Sequence, residues 1–475
     1  MTSEFPDLHR LFHPQSVAVV GASTKRGYTW DSGNAYINGC IQQSFAGRIY
    51  PVHPKAESIL GYKCYGSILD IPESVDLAII CIRASAAKNA IEECARKGVR
   101  FVHMLTAGFG ETGQATAADV EAEIMAIAGK AGMRIVGPNC MGLYSPEGGL
   151  AWNGELSDRP GSVGLFSQSG QLANMVVRTS AQEGIYFSKV ASFGNASDLQ
   201  AHEFLDYLAA DPKTDAVASY IEGLKEGRAF FEAAKKATRK KPLVVWKGGQ
   251  TKGGSRATRS HTAALAGSFQ TWRGMCRQAG IISVDSLDEM VHTLSALQRL
   301  PLPKGLNAAI LGGAGGGSVT MTDMAEKRGL GVPRLSNETI ERLEAIIPAQ
   351  GSSVKNPLDI LPYLSDKERF KYVMTLLKQD VRVDALIFTL PLAFIYREVG
   401  RAGVNAYLKM TLKAREWLAK PMFVIVESFN TAELMMVGRD GAERLMAHQL
   451  PVFPSFEVAA RVMMNLKGYH DFLTR

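Results

Sequence analysis

Two alternating patterns of apolar and polar positions run through the chain. Short β-branched runs that stop at glycine, proline or a small polar residue occur at "SVAVVGAS" (16–23), "RIYPVHPK" (48–55), "VDLAIICI" (75–82), "RFVHML" (100–105) and "MRIVGPN" (133–139). Between them, stretches such as "AAKNAIEECARKG" (86–98) and "TAADVEAEIMAIAGKAG" (116–132) return apolar residues at helical spacing. Strand and helix in strict alternation predict an α/β domain with a doubly wound parallel sheet.

The same rhythm continues from "GLAWNGELSDRPGSVGLFSQSG" through "DAVASYIEG" (215–223) and "PLVVWKGG" (242–249) to a helix around 286–299. The prolines of "QRLPLPKG" (298–305) cannot continue that helix, so this stretch reads as the main linker. A third segment opens at "LNAAILGGAGGGSVTMTDMAEKRG" and carries further strands at "VDALIFTLPL" (383–392) and "PMFVIVES" (421–428). The expected domains are therefore 1–146, 147–300 and 301–475, in keeping with 475 residues at about 150 per domain.

Composition narrows the class. A hydrophobic content of 46%, a charged content of 21% and 46 glycines describe a globular chain with many tight strand-to-helix turns. The formal charge of +7 is dispersed except in "KKATRKK" (235–241), and no basic face with interleaved aromatics marks a nucleic-acid partner. Six cysteines without a C-x-x-C pair fit neither a zinc site nor a disulfide framework, and no H-E-x-x-H pair marks another metal. A polar, acidic N-terminus and the lack of any membrane-length apolar run predict a soluble cytoplasmic protein.

Candidate chemistry sits where strands end. The first turn, Gly21-Ala22-Ser23, resembles a dinucleotide turn but lacks G-x-G-x-x-G spacing, and the second strand ends in "PVHPK" without the acidic residue that binds a ribose hydroxyl. Lys55 with His53 suits a phosphate-bearing nucleotide, coenzyme A or NADP, although a structural turn beside a surface lysine would look the same. "GPNCMG" (137–142) adds an irregular loop at the same sheet edge. Ser167, Gln168, Ser169 and Gly170 sit between a strand and a helix, where unpaired amides and the helix dipole favour a phosphoryl group, or where serine simply caps the helix. "SFGNASDLQAHEFL" builds a similar loop around Asn195 and Asp198.

Of the nine histidines, His202, His292 and His448 lie in helical patterns that read as structural, whereas His261 follows a glycine-rich loop in "RSHTAALAGS" with small neighbours. An imidazole there is a nucleophile at neutral pH that can carry a phosphoryl group. Glu222, just past a strand end, is the carboxylate available to orient it, or else a surface glutamate. Neither a Walker loop in "GGQTKGGS" nor a G-x-S-x-G elbow in "FSQSGQ" is present.

Taken in order, "VAVVGAS", "GRIYPVHPKAESILGYKCY", "TAGFGETG", "RIVGPNCMG", "FSQSGQLA", "YIEGLKEGRAF", "SHTAALAGS" and "SSVKNPLDI" resemble the α subunit of the NDP-forming (ADP-forming) acyl-CoA synthetases, the acetate–CoA ligases of the succinyl-CoA synthetase superfamily. The resemblance covers essentially the whole chain. It implies a Rossmann-type CoA-binding domain followed by two flavodoxin-like, succinyl-CoA synthetase-like domains. It also implies a carbon–sulfur ligase: carboxylic acid, CoA and ATP give acyl-CoA, ADP and phosphate through an acyl phosphate and a phosphohistidine. On that resemblance His261 is phosphorylated and Glu222 supports it, while Ser167, Gln168, Ser169 and Gly170 hold the phosphoryl group. The CoA site carries over to Gly21, Ala22, Ser23, Lys55, Arg83, Pro138 and Asn139, with no metal ligand on this chain.

Two stretches depart from the family pattern, "YTWDSGN" (28–34), in a loop expected to face CoA, and "LGGAGGGS" where an asparagine is usual. ATP or ADP with Mg2+ would be bound mainly by an ATP-grasp β subunit in a hetero- or homo-oligomer. The competing readings are a CoA- or acyl-CoA-binding regulatory subunit without turnover and an NADP-dependent oxidoreductase. No motif names the acid, the choice of ADP over GDP, or the stoichiometry.

Overall fold

The structure, a computed structural model, describes residues 8–24, 33–262, 268–313, 315–427 and 431–475, and the side chains of 259–262 lie outside that description. The chain divides into two compact units, Met1–Asp285 and Ser286–Arg475. Among the described residues no helix is long and apolar enough to cross a membrane.

Beside a small antiparallel pair, Ser58–Ile59 with Tyr62–Lys63, the first unit contains two large sheets among the described residues. One is built from β1 (Ser16–Val20), β2 (Arg48–Val52), β3 (Leu77–Ile80), β4 (Phe101–Met104) and β5 (Arg134–Val136), all parallel, in the order β2-β1-β3-β4-β5. Its central strands are buried almost throughout, which is why they read as unbroken apolar runs. α1 (Ala84–Lys97) leaves the end of β3 and turns its Ala87, Ala90, Ile91 and Cys94 face to the core.

The second sheet comprises β6 (Gly142–Tyr144), β7 (Val163–Ser167), β8 (Phe187–Ser192), β9 (Ala216–Ile221), β10 (Leu243–Lys247) and β11 (Ile282–Val284), in the order β11-β10-β9-β7-β8-β6. Only β6 is antiparallel, pairing with β8. α2 (Gly170–Gln182) follows β7, and α3 (Lys252–Thr262) follows β10. From β7 onward the parallel strands repeat the 2-1-3-4-5 order of the first sheet, so each sheet has a switch point between its first and third strands.

The second unit holds a four-stranded parallel sheet, β12 (Ala308–Leu311), β13 (Ala385–Leu390), β14 (Met422–Val426) and β15 (Val452–Phe453), in sequential order. On the free side of β12, isolated bridges at Gly331 and Leu358 stand where a flavodoxin-like sheet has its second strand. α4 (Leu287–Arg299), the helix expected to close the middle segment, packs instead on α5 (Phe456–Leu473) within this unit. Asn465 donates to Glu289 Oε1 at 2.9 Å and Thr293 Oγ1 at 3.2 Å, and His292 is buried 5.8 Å from the Phe453 ring. The prolines after Leu300 end the helix, but its apolar face decides which core it joins.

A buried ion pair supports the second sheet. Lys189 Nζ on β8 donates to Asp211 Oδ2 at 2.7 Å, with Thr214 Oγ1 on the same oxygen at 2.7 Å. Burial alone would push the Asp211 carboxyl up, but the bonds from Lys189 and Thr214 hold it below its ordinary 3.8. Lys189→Ala strands that carboxylate and should destabilise the first unit by about 3–5 kcal/mol in thermal or urea unfolding. Because the folded Asp211 is the stronger acid, its contribution is complete above pH 3.8 and is lost as pH falls below it, so Asp211→Asn should flatten the acid limb of the stability profile.

Candidate active site at two switch points

At the first switch point Gly21 has φ +98°, and a Cβ there would stand 2.3 Å from the Cys81 carbonyl oxygen. Only glycine lets β1 turn this close to the end of β3. Asn34 braces the turn, accepting from Ser23 N at 2.9 Å and donating to Ser23 O at 2.8 Å, while Ala22 is buried beside it. Arg83 is the exposed residue before α1 and no side chain caps that helix, so first-turn amides face outward. Lys55 is exposed at the end of β2. His53 Nδ1 accepts from Lys55 N at 3.2 Å and Ala56 N at 3.1 Å, which shapes the turn that carries Lys55.

The second switch point is tighter. Gln168 Oε1 accepts from Glu222 N at 2.5 Å and Gly223 N at 2.9 Å, bridging the ends of β7 and β9. Ser169 caps α2 by accepting from Leu172 N at 3.3 Å. Ser167 is fully buried and its hydroxyl is spent on Ser169, donating to its carbonyl at 2.7 Å and accepting from its amide at 3.2 Å. It shapes the loop, whereas Gln168, Ser169 and Gly170 line open space.

Glu222 is buried next to two groups that the sequence reading did not single out. The Tyr220 hydroxyl bonds the Glu222 side chain, and burial, with that carboxylate's charge, raises the phenol well above its ordinary value. Lys247 Nζ donates to Glu222 O at 2.7 Å and Gly248 O at 2.5 Å, and burial lowers its pKa. A Cβ on Gly248 would lie 2.5 Å from the Tyr220 hydroxyl, so the glycine admits the cluster. The available signal was a lysine closing an otherwise apolar strand, directly before paired glycines.

His261 lies in the last turn of α3, and its side chain is outside the described ones, as is any contact between it and Glu222. The backbone of α3 packs against the turn Gly110–Thr112 of the first sheet's domain. That turn belongs to a polar network: Asn195 Nδ2 donates to Glu111 Oε2 at 2.6 Å and to Glu121 Oε2 at 3.3 Å, while Asn139 Nδ2 donates to Asn195 Oδ1 at 3.3 Å. Lys225 donates to Ala196 O at 3.0 Å within the same cluster. Asp198 instead takes Arg134 in a two-point bond.

These elements enclose a cleft of ≈ 1270 Å³ in which Arg83, Ala86 and Asn139 face Gln168, Ser169 and Gly170. The ends of two strand systems and two helix N-termini thus open onto one space. Gly21, Ala22, Ser23, Lys55 and Pro138 frame the first switch point outside that lining, and Glu222 stands behind Gln168.

Residues 15–146 match a CoA binding domain family, and residues 160–297 match the succinyl-CoA ligase-like flavodoxin domain family. The chain is 40% identical over 383 residues to the α subunit of acetate–CoA ligase (ADP-forming) II of Pyrococcus furiosus, covering 80% of this chain and 81% of that one. The chain belongs to the ADP-forming acyl-CoA ligases. It is 33% identical to the Pyrococcus furiosus ligase I α subunit over 97% of both chains. Against the Archaeoglobus fulgidus acetate–CoA ligase I it is 39% identical but spans 54% of that longer relative. Among solved structures, the dinucleotide-forming acetyl-coenzyme A synthetase 1 of Ca. Korarchaeum cryptofilum, in complex with phosphate and ADP, aligns with a TM-score of 0.83 at 28% identity over 98% of each chain. Ligases of this family form carbon–sulfur bonds, and membership favours the catalytic reading over both the regulatory subunit and the oxidoreductase.

The Gln168 bridge separates structure from chemistry by substitution. Gln168→Glu keeps both acceptor bonds and adds a negative charge, so thermal stability should hold while affinity for inorganic phosphate, read by calorimetry, falls by about tenfold or more. Gln168→Leu leaves two buried amides unpaired, at a cost of about 1–3 kcal/mol each, and should lose both. Unchanged phosphate affinity in Gln168→Glu would contradict the assignment.

Proposed function

We propose that the chain is the α subunit of an acid–CoA ligase that works with a separate ATP-grasp β subunit, which binds ATP and Mg2+. The overall reaction is carboxylic acid + CoA + ATP ⇌ acyl-CoA + ADP + phosphate. The observation that carries this reading is the single cleft in which a CoA-type switch point, with Arg83 and Asn139, faces the helix N-terminus and Gln168 bridge of the second.

The chain's residues divide the work. The His261 imidazole attacks the γ-phosphoryl group, forming an N–P bond as ADP leaves, and the acid's carboxylate then takes the phosphoryl group as that bond breaks. First-turn amides at Gly170 and the Gln168 side-chain amide offer N–H groups to the phosphoryl oxygens where α2 carries its partial positive charge. Glu222, whose side chain bonds Tyr220 and whose carbonyl accepts from Lys247, takes the supporting role in this reading: it accepts from the imidazole N–H opposite the reacting nitrogen, which fixes the tautomer. CoA enters from Arg83 and Asn139, its sulfur attacks the acyl carbon, and phosphate leaves with the thiol proton. Gly21, Ala22, Ser23, Lys55 and Pro138 shape the nucleotide end of that path.

Purified with the ATP-grasp partner, the chain should hydrolyse ATP only when both acid and CoA are present. Alone it should show no turnover. Robust ATP hydrolysis by the lone chain would contradict the two-subunit reading, and ATP hydrolysis independent of CoA would contradict the ligase reading.

A further inference from the structure

The cleft has a third wall that the phosphoryl and CoA sites do not use. It is formed by Asn174 and Arg178 on α2 and by Asn153 and Glu155 on the loop after β6. Positions 170, 174 and 178 are spaced i, i+4 and i+8, so one face of α2 carries the phosphate-type site at its start and this wall farther along.

The wall is built to present donors. Asn174 Oδ1 accepts from the Trp152 indole at 3.3 Å and from Arg178 Nε at 3.4 Å. Asn153, which is 8% exposed, accepts from Glu155 N at 2.9 Å through its Oδ1. Asn174 Oδ1 takes two donors and Asn153 Oδ1 is held by one, so each oxygen is tied to the protein and the two NH2 groups are the donors the wall can offer. Gln168 repeats the design, its oxygen on two backbone amides and its NH2 free for a ligand. Arg178 is ion-paired with Glu155 at the rim, so the wall is not a site of bare positive charge. Its backing is rigid: Trp152 is 1% exposed and packs edge-on to Tyr144 at 5.8 Å, and Tyr144 donates to Ser157 O at 2.7 Å.

Resting on the ligase reading above, we infer that this wall binds the chain of the acid and selects acids that carry a second oxygen acceptor, a hydroxyl, oxo or carboxyl group, over plain alkyl acids. The acyl carbon must meet a phosphoryl group at Gly170 and a sulfur arriving past Asn139. Farther along the same face of α2 from Gly170 the lining is Asn174 and Arg178, with Asn153 opposite on the loop, and the substituent is assigned there. There an alkyl chain leaves two amide donors unpaired, whereas an oxygen pairs them.

The test is titration of the chain with CoA, butyryl-CoA, 3-hydroxybutyryl-CoA and succinyl-CoA by calorimetry. At least one oxygenated thioester should bind about tenfold more tightly than butyryl-CoA, the worth of roughly one hydrogen bond. Asn174→Asp keeps the oxygen that holds Trp152 and Arg178 but replaces the donor, so it should erase that preference while CoA binds with wild-type affinity and the melting temperature is unchanged. Butyryl-CoA binding as tightly as both oxygenated thioesters overturns the inference. Equal weakening of CoA itself by Asn174→Asp also overturns it, because the donors would then serve the pantetheine amides. Failure of the wild-type chain to bind any CoA species would overturn the ligase reading, and the inference with it.

Discussion

The site depends on how one carboxamide closes a gap between parallel strands. Where β7 and β9 part at their carboxyl ends, the amides of Glu222 and Gly223 have no strand partner, and Gln168 Oε1 takes both. That bridge fixes the loop that begins α2, sets Glu222 behind it, and turns the Gln168 NH2 toward the cleft. An anion bound there, as proposed, would meet a helix N-terminus and a side-chain donor already oriented, so that little reorganisation would accompany binding.

Burial around the bridge explains its rigidity. Tyr220 and Lys247 hold Glu222 by its carboxylate and its carbonyl, and Gly248 leaves them room. The buried Lys247 ammonium is satisfied by donating to two backbone carbonyls. On the far side, Glu111, Glu121 and Asn195 knit the first sheet's domain to the second, beside the turn on which α3 rests. Two domains with the same strand order therefore present their switch points to one cleft.

The sequence made the strands legible because doubly covered parallel strands are nearly continuous apolar runs, and each glycine that stops one marks a carboxyl edge. Gln168, Ser169, Gly170, Arg83 and Asn139, which line one cleft, could be singled out because ligand chemistry concentrates at those edges. What escaped was whatever depends on two distant stretches meeting. Tyr220 and Lys247 look like strand residues until Glu222 is seen between them, and Asn153 and Asn174 look like ordinary polar positions until Trp152 occupies one oxygen. His53 read as a phosphate partner for Lys55, and its Nδ1 also ties the amides of Lys55 and Ala56, a contact that residue type does not reveal. The linker prolines ended α4 correctly yet could not say that its apolar face belongs with α5.

The proposal that the chain carries phosphate on His261 is tested most directly by intact mass after incubation with the ATP-grasp partner and ATP. The account predicts an acid-labile gain of one phosphoryl group in the wild type, absent in His261→Ala and diminished in Gln168→Glu. A gain that persists in His261→Ala, or none in the wild type while the partner binds both ATP and this chain, would contradict it.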